Sequence, residues 1–161
     1  DLQAALNAKA PTEWTTTVTK STDQDVTNDA TLTNDSELAI AVLSGEFWYF
    51  ELLLLYSGNN ASGDYEGGFA IPAASGIANF LNVGILDGPA NTARAVLAAT
   101  TVTSVPMGTD ASQTIRAAKI EMMLAFTASG TVQYQFANAG AGTGRISRTE
   151  AGSIFRGKKI L

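Results

Sequence analysis

Ten consecutive residues, Phe47-Trp-Tyr-Phe-Glu-Leu-Leu-Leu-Leu-Tyr56, carry a single charged side chain, Glu51. The run is too short to cross a bilayer as a helix, and an acid stands at its centre. As a strand it has two apolar faces. Trp48, Phe50, Leu52, Leu54 and Tyr56 share one; Phe47, Tyr49, Glu51, Leu53 and Leu55 share the other. A strand in an isolated two-layer sandwich alternates apolar with polar. This one asks for cover on both sides, from a further layer of the same chain or from another subunit. The second choice points to a protein that builds assemblies rather than to a solitary catalyst.

Composition agrees. A chain of 161 residues usually makes one domain and can bury a real core. Charged residues make up 16% of it, against about 25% in an ordinary soluble domain. Fifteen Gly, many Thr and 45% apolar content suit a β protein with frequent turns. Cys and His are both absent. That excludes a disulfide framework, a Cys nucleophile, a Ser-His-Asp triad and an ordinary zinc site. Eleven acids and two Lys precede residue 67; four acids and eight bases follow it. Solvated faces explain such a split, as do complementary surfaces meeting at a subunit contact. An acidic chain with scattered bases is a poor nucleic-acid binder. A start at Asp1 with no signal peptide suggests a mature product or a piece of a longer chain.

Residues 1–10 form one short helical pattern, with Leu2, Ala5 and Leu6 on a single stripe and Pro11 as the stop. A helix of that length needs a partner. From Trp14 onward the chain reads as strands: 14–19, 37–43 with Leu38, Ile40 and Val42 on one face, 47–56, 64–71, 76–86, 94–105, 115–127, 131–138 and 152–161. Residues 23–36 are polar and carry turn signals at Asn28-Asp29 and Asn34-Asp35. Ser44-Gly45 marks a turn, Gly67-Gly68 a bulge and Ser129-Gly130 a tight hairpin. The expected architecture is all-β: an antiparallel two-sheet, jelly-roll-like sandwich over 14–161, with a helical neck over 1–13.

Candidate chemistry is thin. Asp23, Asp25, Asp29, Asp35 and Glu37 are the densest acids, but the Gly and Glu of a calcium loop are missing, so turn caps are the better reading. Glu51 suits an ion pair, with Arg94 or Arg116 as candidate partners, or a subunit contact. Gly140-Ala-Gly-Thr-Gly144 lacks the Gly-Lys-Ser/Thr of a phosphate loop and reads as a hairpin loop. No paired carboxylates stand in a motif for glycoside hydrolysis. No cofactor is expected, and no metal. Asn59, Asn60 and Tyr65 are the candidate surface contacts, with Asp64 and Asp87 beside them in a glycan-binding reading; Trp14, Tyr56, Tyr65 and Trp48 could stack on sugars, Trp48 being better read as core.

Three stretches carry a resemblance. Trp14 runs through Val-Thr-Lys to Val-Thr-Asn-Asp-Ala-Thr-Leu and Asn-Asp-Ser-Glu-Leu38. Trp48 to Asp64 is an aromatic and leucine strand, then a Ser-Gly loop. Gly130-Thr-Val-Gln-Tyr-Gln-Phe-Ala-Asn is followed by Gly152-Ser-Ile-Phe-Arg-Gly-Lys-Lys-Ile. Their order resembles a β-sandwich domain of tailed-bacteriophage virion proteins, found as tail fibres, head fibres and capsid decorations. Residues 2–11 look like the short helical linker of phage tail fibres.

The resemblance implies a homotrimer on the virion, with the helix as a neck and the sandwich as a head, in contact with other virion proteins and with a host surface glycan. It brings no catalytic residues. The expected subunit contacts are Leu2, Leu6, Phe47, Tyr49, Glu51, Leu53 and Leu55. The leading expectation is therefore a non-enzymatic fibre component with no nucleic-acid partner and no membrane insertion. A capsid decoration protein comes second and a carbohydrate-binding module third.

Overall fold

The computed structural model describes residues 13–59, 65–73, 80–85, 94–97, 105–107, 109, 112–138 and 143–160, with 80–85, 94–97 and 105–106 as backbone pairing alone. In chain order their strands are β1 (Thr16–Thr19), β2 (Gln24–Thr27), β3 (Thr33–Val42), β4 (Phe47–Gly58), β5 (Tyr65–Ala70), β6 (Phe80–Ile85), β7 (Arg94–Leu97), β8 (Val105–Met107), β9 (Arg116–Ala125), β10 (Gly130–Asn138), β11 (Ile146–Thr149) and β12 (Ile154–Lys159). The larger sheet runs β1-β12-β4-β9-β6-β7, with β11 beside β4 and β2 beside β11; the smaller runs β3-β10-β5-β8. Among the described residues the strand pairs are antiparallel throughout. From β3 to β6 the chain alternates between the sheets, the jelly-roll-like habit expected.

β4 is the spine. It pairs with β9 along ten residues on one side and with β12 and then β11 on the other. Its period-two pattern turns Trp48, Phe50, Leu52, Leu54 and Tyr56 inward, all buried. Leu38, Ile40 and Val42 of β3, Val132, Tyr134 and Phe136 of β10, and Phe69 of β5 meet them from the smaller sheet. Ile120, Met122 and Leu124 of β9 and Phe155 of β12 complete the core. Each such side chain stabilises the fold by roughly 1.5–3 kcal/mol. Phe50 is a hub, with Trp48 and Phe155 stacked on it and Phe126 edge-on.

Several local expectations are corrected. Ser129-Gly130 closes no hairpin, because β9 and β10 lie in different sheets. Residues 126–129 cross the sandwich instead. Phe126 stays buried, its N–H donates to Glu46 O, and Thr127 and Ala128 donate to Ala73 O. The 139–144 tract likewise joins strands of different sheets. Gly67-Gly68 makes no bulge, since β5 pairs with β10 in unbroken register; the shift falls between β10 and β3, at Gln133 to Gln135. Gly67 is required for closeness: a Cβ there would stand 2.4 Å from Tyr134 Oη and 2.6 Å from Met107 Cε. Ser44-Gly45 is the turn expected, with Gly45 at φ +85°. The polar 23–36 stretch holds β2 and the start of β3. Of the neck expected over residues 1–13, residues 1–12 lie outside the described residues.

Candidate functional site

The outward face of β4 carries Phe47, Tyr49, Glu51, Leu53 and Leu55. Phe47, Tyr49, Leu53 and Leu55 are half-buried, and Glu51 is buried. Register sets the neighbours. Glu51 stands between Arg156 of β12 and Glu121 of β9, Leu53 between Ile154 and Lys119, and Tyr49 between Lys158 and Met123. Two carboxylates directly opposite repel each other. Lys119 relieves this by bridging them, 3.0 Å from Glu51 Oε2 and 2.9 Å from Glu121 Oε1. Those bonds, to Glu121 and then to Glu51, hold its ammonium above the ordinary lysine range. Arg156 donates Nε to Glu51 Oε1 at 2.8 Å, and Nη2 donates to the same oxygen. The Tyr49 hydroxyl donates to Glu121. Burial, then that bond and the charges of Glu121 and Glu51, push the phenol up to about 12. Trp14 stacks on Tyr49 with centroids 5.8 Å apart, and the Arg156 guanidinium lies 4.2 Å over the Trp14 ring.

The result is a self-satisfied patch. Two cations meet two carboxylates, so the centre is neutral, and Leu53, Leu55, Ile154, Met123 and Phe47 lie along it, each half-buried. Covering these four ionic groups would strand no charge among them, while Lys158, opposite Tyr49 on the same face, stays half-exposed at the edge.

A second polar cluster lies inside the sandwich. Lys20 and Asp35 side chains have no exposure, and Lys20 Nζ lies 3.1 Å from Oδ1 and 2.9 Å from Oδ2. Glu37 lies 3.6 Å from the same nitrogen. Its carboxylate accepts the amide and hydroxyl of Ser21 and of Thr22, which hold it at about 2. Nearby, Tyr65 Oη bonds Tyr134 Oη at 3.0 Å and Thr149 Oγ1 at 2.7 Å. Burial pushes both phenols well up, so they stay neutral hydroxyls.

The five β4 residues are brought together as expected; Leu2, Leu6, Asn60, Asp64 and Asp87 lie outside the described residues. Tyr65 is no surface contact. It points inward with no exposure, sandwiched against Phe136 and Tyr56. Asn59 spends its amide within the chain, donating to Gly144 O at 2.6 Å and accepting from Ile146 N at 2.8 Å. Glu51 pairs with Arg156 and Lys119, not with Arg116, which sits opposite Tyr56; the Arg94 side chain lies outside the described residues. The acids of 23–37 act as caps and pair partners: Asp23 takes Ala151 N, Asp25 a bidentate Arg148, Asp29 Thr31 N. Among the described residues no three acids converge on a common point, and no helix is long and apolar enough to cross a membrane. Sequence reading missed Lys119, Glu121 and Arg156. Their period-two spacing on β9 and β12 was the available signal.

No family model matches the sequence, and no curated protein matches it. Among solved structures the chain is similar to one in the structure of infectious bursal disease virus, Gx strain, at 13% identity and a TM-score of 0.23. The match covers 91% of this chain and 37% of that one. The chain thus spans little more than a third of that viral chain's length, and so slight a likeness transfers neither fold nor role.

Proposed function

We propose that this chain is a non-enzymatic structural subunit of a virus particle, of the bacteriophage fibre type, which closes with copies of itself through the outer face of the larger sheet. The observation that carries the self-association is the neutral, internally paired patch around Glu51, flanked by half-exposed Leu53, Leu55, Ile154 and Met123. A chain of net charge −5 repels its own copies except where its surface is neutral. Around Glu51 it is neutral, and the ionic groups there are already paired, so covering Leu53, Leu55, Ile154 and Met123 gains apolar area without leaving either carboxylate unpaired. Trp14, Asn59 and Tyr65 are engaged within the chain, which disfavours the glycan-binding reading. The virion setting, the threefold symmetry and the neck through Leu2 and Leu6 rest on the resemblance to phage virion sandwiches.

Size-exclusion chromatography with light scattering tests the assembly. The expected mass at micromolar concentration is three times 16.7 kDa. A monodisperse 16.7 kDa species across that range overturns it.

A further inference from the structure

We infer that the folded chain joins Lys20 to Asp35 through an intramolecular isopeptide bond, a covalent staple between the two sheets. The inference is independent of the assembly reading. Lys20 directly follows β1 in the larger sheet, where its N–H donates to Ser153 O and its carbonyl accepts Gly152 N. Asp35 lies in β3 of the smaller sheet, its carbonyl accepting Gln133 Nε2 at 2.6 Å. The two side chains span the gap between sheets, and neither is exposed.

The geometry is that of two reactants. Nζ lies 3.1 Å from one oxygen of the carboxyl group and 2.9 Å from the other. The carbon between those oxygens is therefore within about 3.5 Å of the amine, the near-attack range. The two oxygens differ. Oδ1 accepts the backbone N–H groups of Glu37 and Leu38, each at 3.0 Å. Paired backbone donors of this kind stabilise the oxyanion that forms during acyl transfer. Oδ2 has no hydrogen-bond donor; Nζ stands 2.9 Å away but out of line. Oδ1 is thus built to stay and Oδ2 to leave.

Water exclusion favours the reaction. A fully buried ammonium and carboxylate carry a heavy desolvation penalty, and proton transfer within the pair leaves a neutral amine and a carboxylic acid. The Nζ lone pair then adds to Cγ, and Oδ1 takes the negative charge. Glu37, 3.6 Å from Nζ, accepts the proton that the new C–N bond makes acidic and passes it to the Oδ2 hydroxyl. The Cγ–Oδ2 bond breaks, Oδ2 departs as water, and an amide remains. Atoms balance with no oxidant, reductant or cofactor. Ser21 and Thr22 hold the Glu37 carboxylate in place beside the pair.

Intact-mass spectrometry of the purified chain tests this. The expected mass is about 18 Da below that of the sequence, one water lost. A tryptic digest should yield a branched peptide joining the Lys20 and Asp35 segments, with no cleavage after Lys20. Lys20→Arg should return the full sequence mass. Glu37→Gln should leave a fraction of the chain at full mass with an unchanged circular dichroism spectrum. The full sequence mass in the folded wild-type chain overturns the inference. So does a water loss mapped elsewhere, such as a succinimide at Asp87-Gly88. Complete cross-linking in the Gln variant overturns the role of Glu37.

Discussion

Gly67→Ala is the sharpest test of how the interior is arranged. The new Cβ would stand 2.4 Å from Tyr134 Oη, where ordinary contact begins at 3.4 Å, so the hydroxyl must retreat by the difference, 1.0 Å. Met107 Cε, 2.6 Å away, is the end of a flexible side chain and yields more easily. The tyrosine cannot yield freely. Its hydroxyl sits 3.0 Å from Tyr65 Oη, which in turn bonds Thr149, and the retreat takes it out of that geometry. Overpacking costs about 1–3 kcal/mol. A buried hydroxyl stripped of its bond costs about 1–3 kcal/mol more. We expect Gly67→Ala to destabilise by about 2–6 kcal/mol, read as a lowered urea midpoint at constant slope.

The same geometry predicts a rescue. Tyr134→Phe alone should cost about 0.5–1.5 kcal/mol, because Tyr65 keeps Thr149. In the double variant the offending oxygen is gone, and the next ring atom, Cζ, stands at 3.3 Å, tight but tolerable. The double variant should therefore lie above the sum of the singles by at least about 1 kcal/mol. Strict additivity, or a cost below about 1 kcal/mol for Gly67→Ala, would refute the claim that closeness to Tyr134 dictates the glycine.

Acid unfolding should report on Glu37. Its folded value is about 2 against an ordinary 4.5, so its contribution is complete above pH 4.5 and is lost as pH falls toward 2; urea midpoints of Glu37→Gln should vary less across that window than those of the wild type. Arg156→Ala should cost about 1–3 kcal/mol, since it leaves Glu51 with one cationic partner fewer, and should red-shift Trp14 fluorescence by uncovering its ring. Leu53→Lys should reduce the light-scattering mass to 16.7 kDa while keeping the thermal midpoint within a few degrees; a retained oligomer removes the outer face of β4 from the contact. Oligomer mass should also hold in molar salt, which screens charge pairing and strengthens apolar burial.

Strands with strict alternation were readable because period two is a local property. Leu38, Ile40 and Val42, the inner face of β4, Ile120 to Phe126, and Val132 to Phe136 all point where alternation places them. β2 and β11 escaped because each has only four residues, and β2 buries a single apolar one, Val26. What alternation cannot supply is register between distant strands. Arg156 faces Glu51 because β12 pairs with β4 in one particular frame, and a slip of one residue would send it to the other side. The outer patch therefore showed in the sequence as a list of residues but not as a network. The Lys20–Asp35 contact left no local trace: both residues sit in stretches that read as polar surface.

The acidic first part and basic second part of the chain acquire a physical meaning in the fold. Asp25 binds Arg148, Glu46 binds Lys159 and Glu51 binds Arg156, each pair more than a hundred residues apart in sequence. These three pairs offset part of the charge imbalance within the chain itself. For those groups the partner is the chain's own second part rather than a neighbour. That shifts the basis of association. The same closure leaves Leu53, Leu55, Ile154 and Met123 half-covered on a face around a centre whose charges cancel. Such a face cannot choose among partners by long-range attraction; it selects by shape and apolar area. A copy of the same chain carries a face of the same neutrality, and it is present at the highest local concentration wherever many copies are made together.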